Sequence, residues 1–224
     1  IDTFALVFCG TGAIVINEVT GGAVSHAGVA LTFGLIVLAM IYAVGDVSGA
    51  NLNPAVTFGF WLAGRLPWRE IFPFICSQIL GAILASAMLK WLFPQSVNLG
   101  ATLPAGSPLQ SFALEILLAF FLMFVILNVS TGAKEKGITA GIAVGSVVAL
   151  EAMFAGPITG ASMNPARSLG PALLSGNFSA LWVYLTAPCI GASLAVLGCK
   201  GTRERGCCPT SDIFCRSEFL IPPR

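Results

Sequence analysis

Hydrophobic residues gather into six long runs, near 2–20, 27–46, 70–92, 111–130, 137–156 and 178–199, separated by short polar or turn-rich connections. A helix crossing a hydrocarbon core needs about 20 predominantly apolar residues, so each run is long enough, or nearly so, to span a bilayer. Two further apolar stretches of about ten residues begin at Pro54 and Pro165, and these are too short to cross. Proline suits the first position of a helix, where its missing N–H would find no partner, and asparagine is a good N-cap. Asn53-Pro54 and Asn164-Pro165 therefore predict the cap and first turn of two half-length helices.

Non-helical backbone ahead of such a half-helix survives at membrane depth only where protein buries it or a water-filled cavity receives it, so the pattern predicts a pore. The tripeptide Asn53-Pro54-Ala55 returns as Asn164-Pro165-Ala166, 111 residues later, which marks an internal duplication. Three spans per half make the two copies run in opposite directions through the membrane. The half-helices then enter from opposite faces and meet N-terminus to N-terminus. The expected fold is an all-α membrane protein: six transmembrane helices plus two re-entrant half-helices in an inverted repeat. Its divisions are a first repeat over 1–94, a connecting loop over 95–110, a second repeat over 111–199, and an irregular tail over 200–224.

Composition agrees with a bilayer. Hydrophobic residues make up 56% of the chain and charged residues 9%, against roughly 25% charged in soluble domains. The 11 Lys and Arg nearly balance the 10 Asp and Glu, so nucleic-acid binding has no electrostatic footing. The sidedness of charge is more informative. Arg65, Arg69, Lys134, Lys136, Lys200, Arg203 and Arg205 fall on one side of the six spans, while the connections 21–26 and 93–110 contain no Lys or Arg. The positive side is the cytoplasmic one, which puts the C-terminus there. Cys9, Cys76, Cys189 and Cys199 lie in apolar runs as small hydrophobes, and the spacing implies no disulfide framework. His26 is the sole histidine and cannot make a metal site alone. No cofactor or metal is expected, and no nucleophile stands with a base, so the chain does not read as an enzyme.

The two segments Ser48-Gly49-Ala50-Asn51-Leu52-Asn53-Pro54-Ala55 and Thr159-Gly160-Ala161-Ser162-Met163-Asn164-Pro165-Ala166-Arg167 resemble the signature of the aquaporin family, and the likeness covers about residues 1–199. Gly156-Pro157-Ile158-Thr159-Gly160-Ala161-Ser162-Met163 and Arg167-Ser168-Leu169-Gly170-Pro171-Ala172 resemble above all the plant nodulin-like intrinsic proteins and their bacterial relatives. The resemblance implies a passive channel for water and small uncharged solutes, such as glycerol or boric and arsenous acids, in a plasma membrane. It also implies a homotetramer with one pore per subunit. A water-selective channel and a poorly conducting structural protein are the alternatives, and a proton-coupled transporter is a third.

By the same resemblance, Asn53 and Asn164 turn amide donors toward the lumen, and Arg167 lines a constriction with Phe33, Ala152 and Ala161. Water-selective relatives typically carry histidine where this chain has Ala152, so alanine implies a wider filter. Phe33 departs from the pattern expected of the plant branch. Glu115 is implied to brace the loop bearing the second motif. Its first-half counterpart falls before residue 1, so the N-terminus reads as truncated. Glu151 is expected to point away from the pore, as a buried hydrogen-bonded group or an intersubunit contact, and Asp46 and Asn51 to line a vestibule.

Two facing helix N-termini contribute about +0.5 charge each. At about 8 Å and an effective dielectric near 20 this repels a monovalent cation by on the order of 2 kcal/mol, some thirtyfold. Strict ion exclusion therefore needs a narrow apolar lumen that cannot replace the hydration shell.

Overall fold

The computed structural model describes residues 1–130 and 134–202, with side chains in the second stretch from residue 139. All regular structure among them is helical. Six helices are long and apolar enough to span: α1 (Asp2–Val19), α2 (Ser25–Ser48), α4 (Trp68–Leu92), α5 (Pro108–Val129), α6 (Lys134–Thr159) and α8 (Leu181–Thr202). Two short ones interrupt them, α3 (Pro54–Leu62) and α7 (Pro165–Ser175). With 9 and 11 residues they add to 20, roughly one bilayer crossing when placed end to end.

Each short helix begins where the motif predicts. Asn53 and Asn164 hold the same extended backbone, φ −145° in both, with Pro at the first helical position. The Asn53 side chain accepts from Ala55 N, and that of Asn164 from Ala166 N and Arg167 N. Ala55 and Ala166 are small because the half-helices press closely on their neighbours, Ala55 against Ala192, Ala195 and Val196 of α8 and Ala166 against Ala82 and Ala85 of α4. Helix α3 also reaches α7 directly.

The spans pair through small residues, which let backbones approach where lipid leaves no hydrophobic drive between helices. Gly34 of α2 faces Gly145 of α6 so closely that a Cβ on Gly34 would stand 2.5 Å from the Gly145 carbonyl oxygen. Gly191 of α8 sits the same way over the Ile116 carbonyl of α5. Leucine, phenylalanine and tryptophan side chains, among them Leu35, Phe72, Leu117 and Leu197, point outward and are exposed.

Boundaries shift at a few places. Helix α6 continues through Pro157 to Thr159, past the expected 156, because a proline so near a helix end costs a single intrahelical bond. Helix α8 starts at Leu181 and runs to Thr202, so Lys200–Thr202, expected in the tail, are helical. The rest of the expected irregular tail, 203–224, lies outside the described residues. A π turn, Val7–Thr11, interrupts α1, which hydrophobic pattern alone did not foretell. Cys9, Cys76 and Cys189 are free thiols.

The connection between α4 and α5 folds back onto the bundle. Ser96 Oγ donates to Glu18 at 2.8 Å, Ala105 N to the Ile158 carbonyl at 2.9 Å, and Thr102 Oγ1 to Ser168 Oγ at 2.7 Å.

Candidate functional site

A cavity of about 140 Å³ runs between the helices, from Arg167, Phe33 and Ala152 at one end, past Asn53 and Asn164, to Ser130 and Ala140 at the other. Its wall is apolar except at Asn53, Asn164, Ser162, Arg167 and Ser130. Phe33, Ala152, Ala161, Arg167 and both asparagines thus share one lumen. Pro54, Ala55, Pro165 and Ala166 stand behind the wall as the buried first turns of α3 and α7.

The asparagines do more than cap. Asn53 Nδ2 donates to the Met163 carbonyl at 2.8 Å, and Asn164 Nδ2 donates to the Leu52 carbonyl at 3.0 Å, so each amide ties its own helix to the loop of the other motif. A carboxamide has two N–H donors. One on each asparagine is therefore spent across the pseudo-symmetric junction, and both residues line the cavity.

Arg167 is 1% exposed. Its Nη1 donates to the Gly100 carbonyl at 3.0 Å, its guanidinium carbon lies 5.2 Å from the centre of the Phe33 ring, and Nε and Nη2 have no protein partner. The cation–π contact and the single carbonyl hold the guanidinium at the cavity wall, with Nε and Nη2 buried and unpartnered. Phe33 in turn is seated by Gly10 in the π turn of α1, where any Cβ would overlap the ring. The remaining apolar wall gives a bare ion nothing to replace its shell.

Glu115 is fully buried behind the lumen and takes Ser162 N, Met163 N and Thr159 Oγ1, each at 2.8 Å. Tyr184 OH donates to the Thr159 carbonyl at 2.7 Å, fixing the same corner. Glu151 does not join them. It is buried within the chain, off the cavity wall, and neither carboxylate oxygen has a hydrogen-bond partner. Its burial inside one chain removes the expected intersubunit contact, and the expected hydrogen bond is not there. Asp46 is exposed and off the cavity, whereas Asn51 is buried beside it with Oδ1 unpartnered. Neither Asp46 nor Asn51 lines the cavity.

Gly100, Tyr184 and Thr102 were not foreseen from the sequence. Their contacts are long-range, and a turn-rich stretch such as Asn98-Leu99-Gly100 signals a bend without saying what its carbonyls will meet.

A profile described as major intrinsic protein matches residues 1–198. The chain belongs to the major intrinsic protein family. Aquaporin NIP1-4 of Oryza sativa subsp. japonica is 50% identical over 192 residues, covering 85% of this chain and 70% of that protein. Aquaporin NIP1-1 of Zea mays is 48% identical over 191 residues, covering 85% and 68%. These relatives place this major intrinsic protein with the nodulin-like branch that Gly156–Ala172 resembles. The aquaglyceroporin from Plasmodium falciparum has a similar fold, with TM-score 0.80, 27% identity, and 88% and 90% of the two chains covered. As a family member the chain is a multi-pass membrane channel and not an enzyme.

Proposed function

We propose that this major intrinsic protein passes water and small uncharged solutes, glycerol among them, down their gradients and excludes ions and protons. The observation that carries the reading is the end of the cavity where Arg167 lies over the Phe33 ring and position 152 is alanine. In this reading Phe33, Ala152, Ala161 and Arg167 form the selectivity filter. Asn53 and Asn164 are the midpoint donors, each through its second N–H, and Glu115 supports the loop that carries two filter residues.

The likeness to an aquaglyceroporin supports glycerol as a solute, and the nodulin-like relatives support boric or arsenous acid, which are also compact and neutral. The repeats comprise residues 1–94 and 111–199 joined by the loop 95–110. The Lys and Arg bias supports a cytoplasmic C-terminus, the family resemblance supports a plasma membrane, and the exposed apolar outer faces leave room for subunit contacts in a homotetramer as well as lipid.

Ala152→His tests the filter. An imidazole at 152 would project into the lumen beside Arg167, so glycerol flux into proteoliposomes should fall about tenfold or more while water flux persists. Unchanged glycerol flux would remove Ala152 from the constriction. Light-scattering shrinkage no faster than protein-free vesicles, in the unsubstituted protein, would favour the structural alternative.

A further inference from the structure

Pro157 has no N–H, so the carbonyl of Met153, four residues earlier in α6, lacks its intrahelical partner although the helix runs on to Thr159. A carbonyl without its helical N–H is satisfied by a donor from elsewhere. It finds one in the chain's sole histidine: His26 Nε2 lies 2.7 Å from Met153 O. A carbonyl can only accept, so Nε2 carries the proton and donates. The ring can approach because residue 156 is glycine, where an added Cβ would come within 2.9 Å of imidazole Cε1.

Three separate features, the lone histidine, Gly156 and Pro157, thus converge on one contact, and its position matters. Met153 follows Ala152 directly. His26 lies in the first turns of α2, on the same stripe as Phe33 two turns later. The neighbouring carbonyls near the end of α6 also take donors from outside the helix, Ile158 from Ala105 N and Thr159 from Tyr184 OH. Of the three, only the His26 bond joins α6 to α2, the neighbouring helix that carries Phe33.

We propose that His26 is a positioning residue for the constriction. By standing in for the amide that Pro157 lacks, it ties the Phe33 wall to the Ala152 wall and fixes the gap between them, and so the size of neutral solute that passes. The inference rests on the proposed assignment of Phe33 and Ala152 to the filter.

The test is the ratio of glycerol to water permeability, per assembled channel, for the full chain in proteoliposomes. His26→Leu removes the donor and should shift the ratio by about threefold or more. His26→Gln keeps an N–H donor at a similar reach and should stay within about twofold of the parent. Pro157→Ala restores the helical N–H, so the effect of His26→Leu should shrink by about half or more in that background.

An unmoved ratio in His26→Leu, a His26→Gln variant as displaced as the leucine, or an undiminished effect in the Pro157→Ala background would each overturn the proposal. If His26→Leu alone does not assemble, the double variant decides. Assembly with a near-parent ratio supports the role, and failure or a shifted ratio overturns it. Ala152→His runs alongside. If it blocks glycerol while the His26 variants change nothing, only this inference falls; if it too changes nothing, the filter assignment falls first.

Discussion

The two loops that precede the half-helices carry the same motif and are held in different ways. Gly160 to Asn164 is anchored at nearly every residue: Glu115 takes Ser162 N and Met163 N, Thr159 Oγ1 takes Ala161 N, and Ser162 Oγ donates to the Asn164 carbonyl. Ser162 and Ser168 also share a hydrogen bond, and Thr102 extends it into the α4–α5 connection. Gly49 to Asn53 has lighter support. Gln78 Nε2 donates to the Asn51 carbonyl at 2.6 Å, Thr3 Oγ1 to the Leu52 carbonyl at 3.3 Å, and among the described residues no carboxylate hydrogen-bonds this loop.

Backbone conformation explains why the second loop takes more. Gly160, Ala161 and Met163 are all left-handed, with φ of 83°, 41° and 53°, whereas the first loop has Gly49 at 70° and Ala50 at 48°. A left-handed non-glycine residue costs on the order of 1–3 kcal/mol and persists only where its surroundings over-determine it. The loop that places Ala161 and leads into Arg167 is the one so constrained.

The strongest way to break this contrast is to remove its anchors one at a time. Glu115→Ala strands two backbone N–H groups and a threonine hydroxyl in the protein interior, and should cost about 3–5 kcal/mol of stability with loss of assembled channel. Gln78→Ala in the first loop should cost about 1–2 kcal/mol and leave the glycerol-to-water ratio near its parent value. Unfolding midpoints in micelles compare the two. Equal losses would mean that the two loops are equally supported after all.

Next in size is the midpoint. Asn53→Asp and Asn164→Asp keep an oxygen to cap the helix but place a carboxylate between the two N-termini. Each should raise cation conductance by up to thirtyfold, roughly the 2 kcal/mol of repulsion it cancels. Asn164→Asp should also lower stability more than Asn53→Asp, since its loop is already bonded to the Glu115 carboxylate. Unchanged cation conductance in a correctly assembled double variant would sink the facing half-helix account.

Much of this was legible in the sequence because it is local. The Asn-Pro caps, the lengths of α3 and α7, and the six spans follow from cap chemistry, proline geometry and hydropathy, and each appears within a few residues of its expected place. The filter positions Phe33, Ala152, Ala161 and Arg167 were readable only through family resemblance, since no periodicity tells which face of α2 or α6 turns to the lumen. What stayed hidden depends on distant partners: the π turn that seats Phe33 at Gly10, the Gly100 carbonyl under Arg167, and the commitment of one asparagine N–H across the junction. Glu151 was misjudged for the same reason. A carboxylate in a span predicts a partner, and the sequence alone could not show that neither oxygen finds one.

Glu151 also gives the contrast its finest test. Glu115 and Glu151 are both buried carboxylates on helices that flank the second loop, yet one accepts three hydrogen bonds and the other none. If the three donors are what make Glu115 worth keeping, the unpartnered acid should be dispensable. Glu151→Leu, similar in volume, should raise stability by about 1 kcal/mol, because an apolar group replaces a polar one that gains nothing in return. Water and glycerol flux should stay at parent values, since Glu151 is off the cavity wall. The unfolding midpoint and the flux are both measurable on the same preparation. A drop in stability comparable to that of Glu115→Ala would show that Glu151 is anchored to something as firmly as its neighbour, and that the second loop is braced from α6 as well as from α5.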